Sequence, residues 1–325
     1  MRFIIYGLGA VGGAIAAALT LAGSEVIGIA RGKMLEAIKA DGLLFRTPAG
    51  AERVRFAVVA GPEEIAFRPD DAVFLTMKSQ DSAAAIAALV QAGVREQAIF
   101  CFQNGLNNER LALRHFANVY GVTVMIPADY TVPGEVVCYG TPRHGLFDIG
   151  RYPAGLDDKA EAVVATLTAA NFAAFPMDDV QRSKRGKLIE NLGNVVDAAM
   201  GPDSNRGGNV MEAVRAEAHA VYVKAGLDWK EIDRDEPRRK GLVEMGKVEG
   251  SQRAGSSSTQ SLMRGAGSIE TDYLNGEIVL MGRMHGVPVP LNTALCQLGH
   301  DLISGAVGAG TLTEAELRAR LGLNR

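Results

Sequence analysis

Short apolar runs alternate with amphipathic stretches through the first half of the chain. RFIIY (2–6), EVIGIA (25–30), DAVFLTMK (71–78) and QAIFCFQN (97–104) have the length and side chains of buried strands. Between them, the Ala- and Leu-rich residues 10–22 and the segment DSAAAIAALVQAG carry a helical pattern, the first closed by Gly23 as a C-cap. This βαβα rhythm predicts a parallel sheet with helices on both faces. From about 118 to 176 the runs shorten to VYGVTVMI, GEVVCYG, HGLFDIG and FAAFPM, which are expected to extend the same sheet. After about 178 the pattern turns helical: KLIENLGNVVDAAM, NVMEAVRAEAHAVYVKAG, SIETDYLNGEIVLMGRMHG and NTALCQLGHDLISGAV. HGVPVP (285–290) is a stop, with Gly286 ending a helix and Pro288 and Pro290 preventing its continuation. GSQRAGSSSTQS (250–261) is a Ser/Gly-rich loop. The expected organisation is an α/β domain over 1–178 and an all-helical domain over 179–325, with a cleft between them.

One helical stretch carries two stripes. In KRGKLIENLGNVVDAAMG (184–201), Leu188, Leu192, Val195, Val196 and Ala199 make an apolar side. Lys184, Lys187, Asn191 and Asn194 recur at spacings of three, four and three, which at about 100° per residue is a polar line along one side. Such a line is either a solvated face or the wall of a cleft.

Composition narrows the class. The chain has 325 residues, 47% hydrophobic and 22% charged, enough to bury a core without disulfides or metals. A formal net charge of -3 gives no reason to expect a nucleic acid or an anionic membrane as partner. No uninterrupted apolar stretch is long enough for a membrane span, and the glycine-broken start has no signal-peptide signature. Cys101, Cys138 and Cys296 are odd in number and lack metal spacing, so they are expected as reduced thiols of a cytoplasmic protein with no metal site.

The chemistry begins at the first turn. Gly7-Leu8-Gly9-Ala10-Val11-Gly12-Gly13 follows a strand and opens a helix. In that context the first glycine permits a tight turn, the second admits a pyrophosphate against the backbone, and the third lets helix and strand pack closely. The helix N-terminus offers free N–H groups to the phosphates. The N-terminal domain is therefore expected to be of Rossmann type, doubly wound. The second strand ends Ile29-Ala30-Arg31-Gly32-Lys33, without the acid that an NAD site uses for the ribose 2′-hydroxyl. Arg31 can grip a 2′-phosphate with two donors and Lys33 adds charge, so NADP(H) is the expected cofactor. Lys78 and Asn104 lie at strand ends, where ligands of doubly wound sheets sit. The alternatives are a solvated loop lysine for Lys78 and plain Asn-Gly turn chemistry for Asn104.

GLGAVGG, MKSQDS (77–82), QNGLNNE (103–109), KLIEN (187–191), and SSSTQS…SIETDYLNG…HGVPVPLN occur together and in order. The set resembles the ketopantoate reductase (2-dehydropantoate 2-reductase) family over nearly the whole chain. The resemblance implies roles. Lys187 is the general acid that protonates the reduced carbonyl. Asn191, Ser258 and Asn205 contact substrate, and Asn104 lies near both substrate and cofactor. Lys78 contacts the cofactor, and Glu270 lies near the lysine and the nicotinamide ribose. By this reading Lys187 and Asn191 face the cleft, and Lys184 is an ordinary solvated residue. The implied reaction is NADPH-dependent reduction of 2-dehydropantoate to (R)-pantoate, in pantothenate biosynthesis. An ammonium suits it, because hydride transfer to a ketone leaves an alkoxide that needs a charge partner and a proton.

Two features depart from the family pattern. The register that usually holds a second asparagine is Val195, with Asn194 one step off, and the loop after Ser258 reads TQSL in place of a methionine and a Gln-Asp pair. Both lie on the substrate side, so the same chemistry on another 2-oxo acid or carbonyl compound stays open, as does a catalytically silent NADP-binding sensor. The apolar C-terminal helices form either a homodimer surface or the core of the second domain.

Overall fold

The computed structural model describes residues 1–201, 209–232, 238 and 240–323. Asn205 lies outside the described residues. Along the chain run β1 (Phe3–Tyr6), α1 (Ala10–Leu21), β2 (Val26–Ile29), α2 (Gly32–Asp41), the hairpin β3 (Leu43–Thr47) and β4 (Gly50–Val54), β5 (Ala57–Val59), β6 (Ala72–Leu75), α3 (Ser82–Gln91), β7 (Ala98–Cys101) and α4 (Asn107–Leu113). Then follow β8 (Val119–Met125), β9 (Ala128–Asp129), β10 (Glu135–Cys138), β11 (Gly140–Pro142), β12 (Leu146–Arg151), α5 (Asp158–Ala169) and β13 (Ala173–Pro176). The remainder is α6 (Val180–Asn191), α7 (Asn194–Met200), α8 (Val210–Ala225), β14 (Val243–Met245), α9 (Ser257–Met263), α10 (Asn275–His285), α11 (Pro290–Ser304) and α12 (Glu314–Arg320).

Two units form, Met1–Lys184 with Ile232–Gln252, and Arg185–Glu231 with Arg253–Arg325. The first holds a sheet in the order β13-β12-β8-β7-β6-β1-β2-β5. From β5 to β8 all neighbours are parallel, β12 runs antiparallel to β8, and β13 is parallel to β12. Its central strands are apolar on both faces: Ile4, Ile5, Val73, Phe74, Ile99 and Phe100 are all fully buried, as a sheet covered by helices requires. Between β1 and β6 the chain order reverses direction, so the carboxyl edge at Gly7 and Thr76 is the switch point where ligands of such sheets bind.

The expected single sheet over 118–176 is only partly formed. β8, β12 and β13 join it, but β9 and β10 pair with β3 and β4 in a second sheet of order β4-β3-β10-β9. The reason lies in α1. Gly13 has no side chain, and one added there would fall 2.6 Å from Val136 Cγ2 of β10. The second sheet thus packs closely on α1, extending the core of the first unit. A single cut at 178/179 does not describe the units either. The segment from Ile232 belongs with the first unit, where β14 pairs with β11 and Arg238 holds the buried Asp148 at 2.6 Å.

The second unit is helical among its described residues. The expected helix over 187–200 is two helices, broken at Leu192–Gly193. Glycine has low helix propensity, and the chain restarts there, with the Gly193 carbonyl accepting from the Asp197 N–H at 3.0 Å. Gly226, Gly286 and Gly305 end α8, α10 and α11 in the left-handed conformation. Pro290 opens α11, where no N–H is needed. Among the described residues no helix is long and apolar enough to cross a membrane.

Candidate active site

The first turn builds a cradle. Gly7 has φ +107, and a Cβ there would sit 2.9 Å from the Met77 backbone nitrogen. A Cβ at Gly12 would collide with the Gly7 carbonyl oxygen and the Thr76 hydroxyl. That hydroxyl donates to the carbonyls of Tyr6 (2.9 Å) and Gly7 (2.7 Å), fixing the turn to the end of β6. Over Gly9 the space is open, with nothing within 4 Å of an added Cβ. Gly9 also precedes α1 without any side-chain cap, so the helix's first N–H groups point into that space. Leu8 is buried, and Ala10 and Val11 pack against the core. The cradle fits a dinucleotide pyrophosphate.

Further along the same edge, Arg31 follows β2 and precedes α2. Its side chain is 77% exposed, 3.7 Å from the carboxylate of Asp81. Lys33 is exposed as well. Lys78 does not end a strand; β6 stops at Leu75, and Lys78 is the half-buried residue before a 3₁₀ turn over Ser79–Asp81.

Asn104 likewise stands three residues past the end of β7, in a turn completed by Gly105 at φ +82. Its carbonyl accepts from the Asn108 amide at 3.2 Å. Asn108 also donates to the Ser79 hydroxyl (3.1 Å) and accepts from the Ser82 hydroxyl (2.8 Å). Gln103 donates to the Met77 carbonyl (2.9 Å) and to Ser82 (2.8 Å). These bonds tie the segment carrying Lys78 to the turn carrying Asn104. The Asn104 Oδ1 itself is buried and has no partner among the described residues.

Lys184 overturns its sequence reading. It is buried, with its side chain 2% exposed, and its ammonium lies 2.7 Å from the carboxylate of the fully buried Glu109. It also donates to the carbonyls of Gln103 (2.8 Å) and Val122 (3.1 Å). The β7–β8 ladder stops at Cys101 opposite Gly121. Beyond that point the ammonium links the two chain segments through the Gln103 and Val122 carbonyls. Burial pushes the Glu109 carboxyl up, and the Lys184 charge opposes that. Nothing in the local pattern marks the pair beyond a lysine on the polar stripe of α6.

In the second unit, Lys187 is half-buried on α6 and Asn191 is buried at its end. The Asn191 amide nitrogen has no partner among the described residues. The next carbonyl, of Leu192, accepts from Asn275 at 3.2 Å. Asn275 in turn meets Asn292 (3.1 Å), and Asn292 meets Glu217 (2.9 Å), so α10, α11 and α8 hold that helix end. The loop expected over 250–261 gives way at Ser257 to α9, capped by the Ser256 hydroxyl; Ser258 is 2% exposed on that helix, and its hydroxyl too lacks a partner among the described residues. Glu270 is buried in the first turn of a 3₁₀ helix over Glu270–Tyr273. Val195, at the register of the absent asparagine, is buried on α7, and Asn194 Nδ2 lies 3.5 Å from Ser257 Oγ.

The family described as "Ketopantoate reductase PanE/ApbA" matches residues 3–154, and "Ketopantoate reductase PanE/ApbA C terminal" matches residues 188–302. The chain is similar to the 2-dehydropantoate 2-reductase of Archaeoglobus fulgidus, 29% identical over 94% of this chain and 98% of that one. It is 26% identical to that of Aquifex aeolicus, over 92% and 96%. A crystal structure of a PanE/ApbA family ketopantoate reductase from Ralstonia eutropha JMP134 superposes with a TM-score of 0.77 at 28% identity, covering 94% and 99%. A D-mandelate dehydrogenase solved with NADH and anilino(oxo)acetate shares the fold, with a TM-score of 0.75 at 20% identity over 94% and 99%.

Proposed function

We propose, from the premise that this chain belongs to the ketopantoate reductase family, that it reduces a small 2-oxo acid to the 2-hydroxy acid with NADPH, 2-dehydropantoate to (R)-pantoate being the leading case. Membership makes it an oxidoreductase acting on CH–OH groups, with a nicotinamide cofactor. The observation that carries the substrate side is a set of unpartnered buried polar atoms. Asn104, Asn191 and Ser258, assigned to substrate by family pattern, each keep a buried side-chain atom without a partner among the described residues. An unpaired buried polar atom costs about 1–3 kcal/mol, and a carboxylate, a carbonyl or a hydroxyl supplied by a ligand would remove that cost.

The nicotinamide supplies the hydride when bound. The glycine cradle holds the pyrophosphate on backbone N–H groups, and Arg31, with Lys33 nearby, grips the 2′-phosphate. Support for NADPH over NADH comes from β2, which ends without an acid and leaves Arg31 exposed. Lys78 and Glu270 complete the cofactor contacts. Lys187 stabilises the developing alkoxide through its ammonium and then transfers a proton to that oxygen. Asn191, Asn104 and Ser258 orient the acid with neutral donors and acceptors.

A second reading rests on Val195. An apolar residue at this register favours a substrate with an apolar substituent there, so a 2-oxo acid other than 2-dehydropantoate is the alternative. The test is oxidation of NADPH, followed by its absorbance, against a panel of 2-oxo acids. Turnover of 2-dehydropantoate with the highest kcat/KM supports the leading reading. Preference for another acid sinks it but keeps the chemistry, and NADPH binding without any turnover leaves a sensor. In the active enzyme Lys187→Ala should cut kcat by about 10²–10⁴ and leave NADPH affinity unchanged. A matching loss of NADPH affinity would remove Lys187 from the proton-donor role.

A further inference from the structure

Asp197 is a buried carboxylate that the proposed chemistry does not use. It lies on α7, 2% exposed. Its Oδ2 accepts from the backbone N–H of Ser256 at 2.7 Å and from the hydroxyl of Thr259 at 3.1 Å. The Ser256 hydroxyl stands 3.0 Å from the Thr259 hydroxyl and donates to the Asn194 carbonyl at 3.0 Å. It also accepts from the Thr259 N–H at 3.3 Å, capping α9. Gly255 has φ +97, and a Cβ on it would sit 3.3 Å from the Asp197 carboxylate. The loop backbone therefore runs directly over that carboxylate, in a conformation that suits glycine. α7 and α9 pack against each other, and all these contacts lie within one unit.

Ser257 and Ser258 sit between the two anchored residues. Asn194 Nδ2 reaches Ser257 Oγ at 3.5 Å, while Ser258 Oγ is buried without a partner among the described residues. The Ser/Gly-rich stretch that leads into α9 has many conformations to lose on ordering. A charged acceptor shared by one residue before the serines and one after them restricts that freedom before any ligand arrives. Hydrogen bonds to a charged group are about twice as strong as neutral ones.

We propose that Asp197 is a positioning residue for the 2-oxo acid: by clamping Ser256 and Thr259 it presents the Ser257–Ser258 pair in the geometry that receives substrate. Asn194 serves the same clamp through its carbonyl and amide. The polar groups of α7 that dock the serine turn of α9, Asn194 and Asp197, flank Val195, the register where the family pattern expects a second substrate asparagine. The proposal rests on the reductase reading for its substrate and on the observed bonds for its clamp.

The test compares Asp197→Ala, Asp197→Asn and Thr259→Val with the unaltered enzyme. Asp197→Ala should raise KM for the 2-oxo acid by about tenfold or more, the scale on which misplaced contacts act, with the Kd for NADPH within about twofold. Asp197→Asn keeps an acceptor oxygen and should recover most of the loss. Thr259→Val removes one arm of the clamp and should fall between. Hydrogen exchange of the amides of residues 255–261 should speed up in Asp197→Ala and Thr259→Val, a readout independent of activity. Faster exchange with an unchanged KM, a KM effect shared equally by NADPH, or no rescue by Asp197→Asn would each overturn the proposal. If the unaltered enzyme turns over no 2-oxo acid, the reductase reading fails by itself, and unchanged exchange in both variants would then overturn the clamp separately.

Discussion

A lysine without accessible water is costly unless its charge is fully partnered. Lys184 meets that condition with one carboxylate and two carbonyls. Removing one member of such a pair leaves the other as a buried uncompensated charge, a loss of about 3–5 kcal/mol. Lys184→Met should therefore lower the unfolding free energy by that amount in denaturant melts. Adding Glu109→Leu should restore most of it, since a well-packed apolar pair can replace a buried ion pair at little cost. Arg31 is the opposite case, an exposed cation whose value appears only with a ligand. Arg31→Ala should leave stability unchanged and raise the Kd for NADPH by about tenfold or more, the worth of hydrogen bonds to a charged group. The Kd for NADH should stay within about twofold; equal weakening of both cofactors would contradict the 2′-phosphate assignment.

At the scale of elements, the parts legible in the sequence were those whose cause is local. The glycine turn, the helix ends at Gly23 and Gly286, and the apolar strands β1, β6 and β7 follow from backbone sterics and short-range pattern. The hairpin β3–β4 and the second sheet did not show, because β10 pairs with β3 about ninety residues away. The burial of Lys184 was hidden for the same reason: its acceptor on Gln103 is 81 residues earlier in the chain. The start of α11 is a further example. Its N-terminal N–H groups at Leu291 (2.8 Å) and Asn292 (2.9 Å) are met by Glu217 of α8, a cap supplied from another helix. Local sequence offered only Pro290 as the sign of a helix start. Glu217→Ala should cost about 1–3 kcal/mol, as the loss of charge-assisted bonds to otherwise orphaned donors does. Thermal melting of the variant against the unaltered chain measures it, and a loss below about 0.5 kcal/mol would place the cap among the marginal ones.

At the scale of a whole unit, one side chain couples two sheets of the first unit to pH. The His144 ring meets Phe45 of β3 edge-on at 5.2 Å and Phe172, just before β13, at 5.6 Å. Burial, with Arg143 adjacent, pulls its pKa down to about 4. In the unfolded chain a histidine titrates near about 6.5. Between those values the unfolded state binds more protons than the folded one, so stability rises with pH across the window and is lost as pH falls from about 6.5 towards about 4. The full swing from this residue is up to about 3 kcal/mol. Glu109 works in the other direction: its carboxyl is raised, so its contribution weakens as pH climbs through the carboxylate range. Comparing variants at each pH separates the two. His144→Phe keeps an aromatic ring between Phe45 and Phe172 and removes the proton. Its stability relative to the unaltered chain should be nearly constant above about pH 6.5. It should then improve steadily as pH drops towards about 4, because only the histidine chain pays for protonation on unfolding's side of the balance. Denaturant melts at several pH values provide the measurement, and a difference that does not change with pH would show that His144 contributes packing alone.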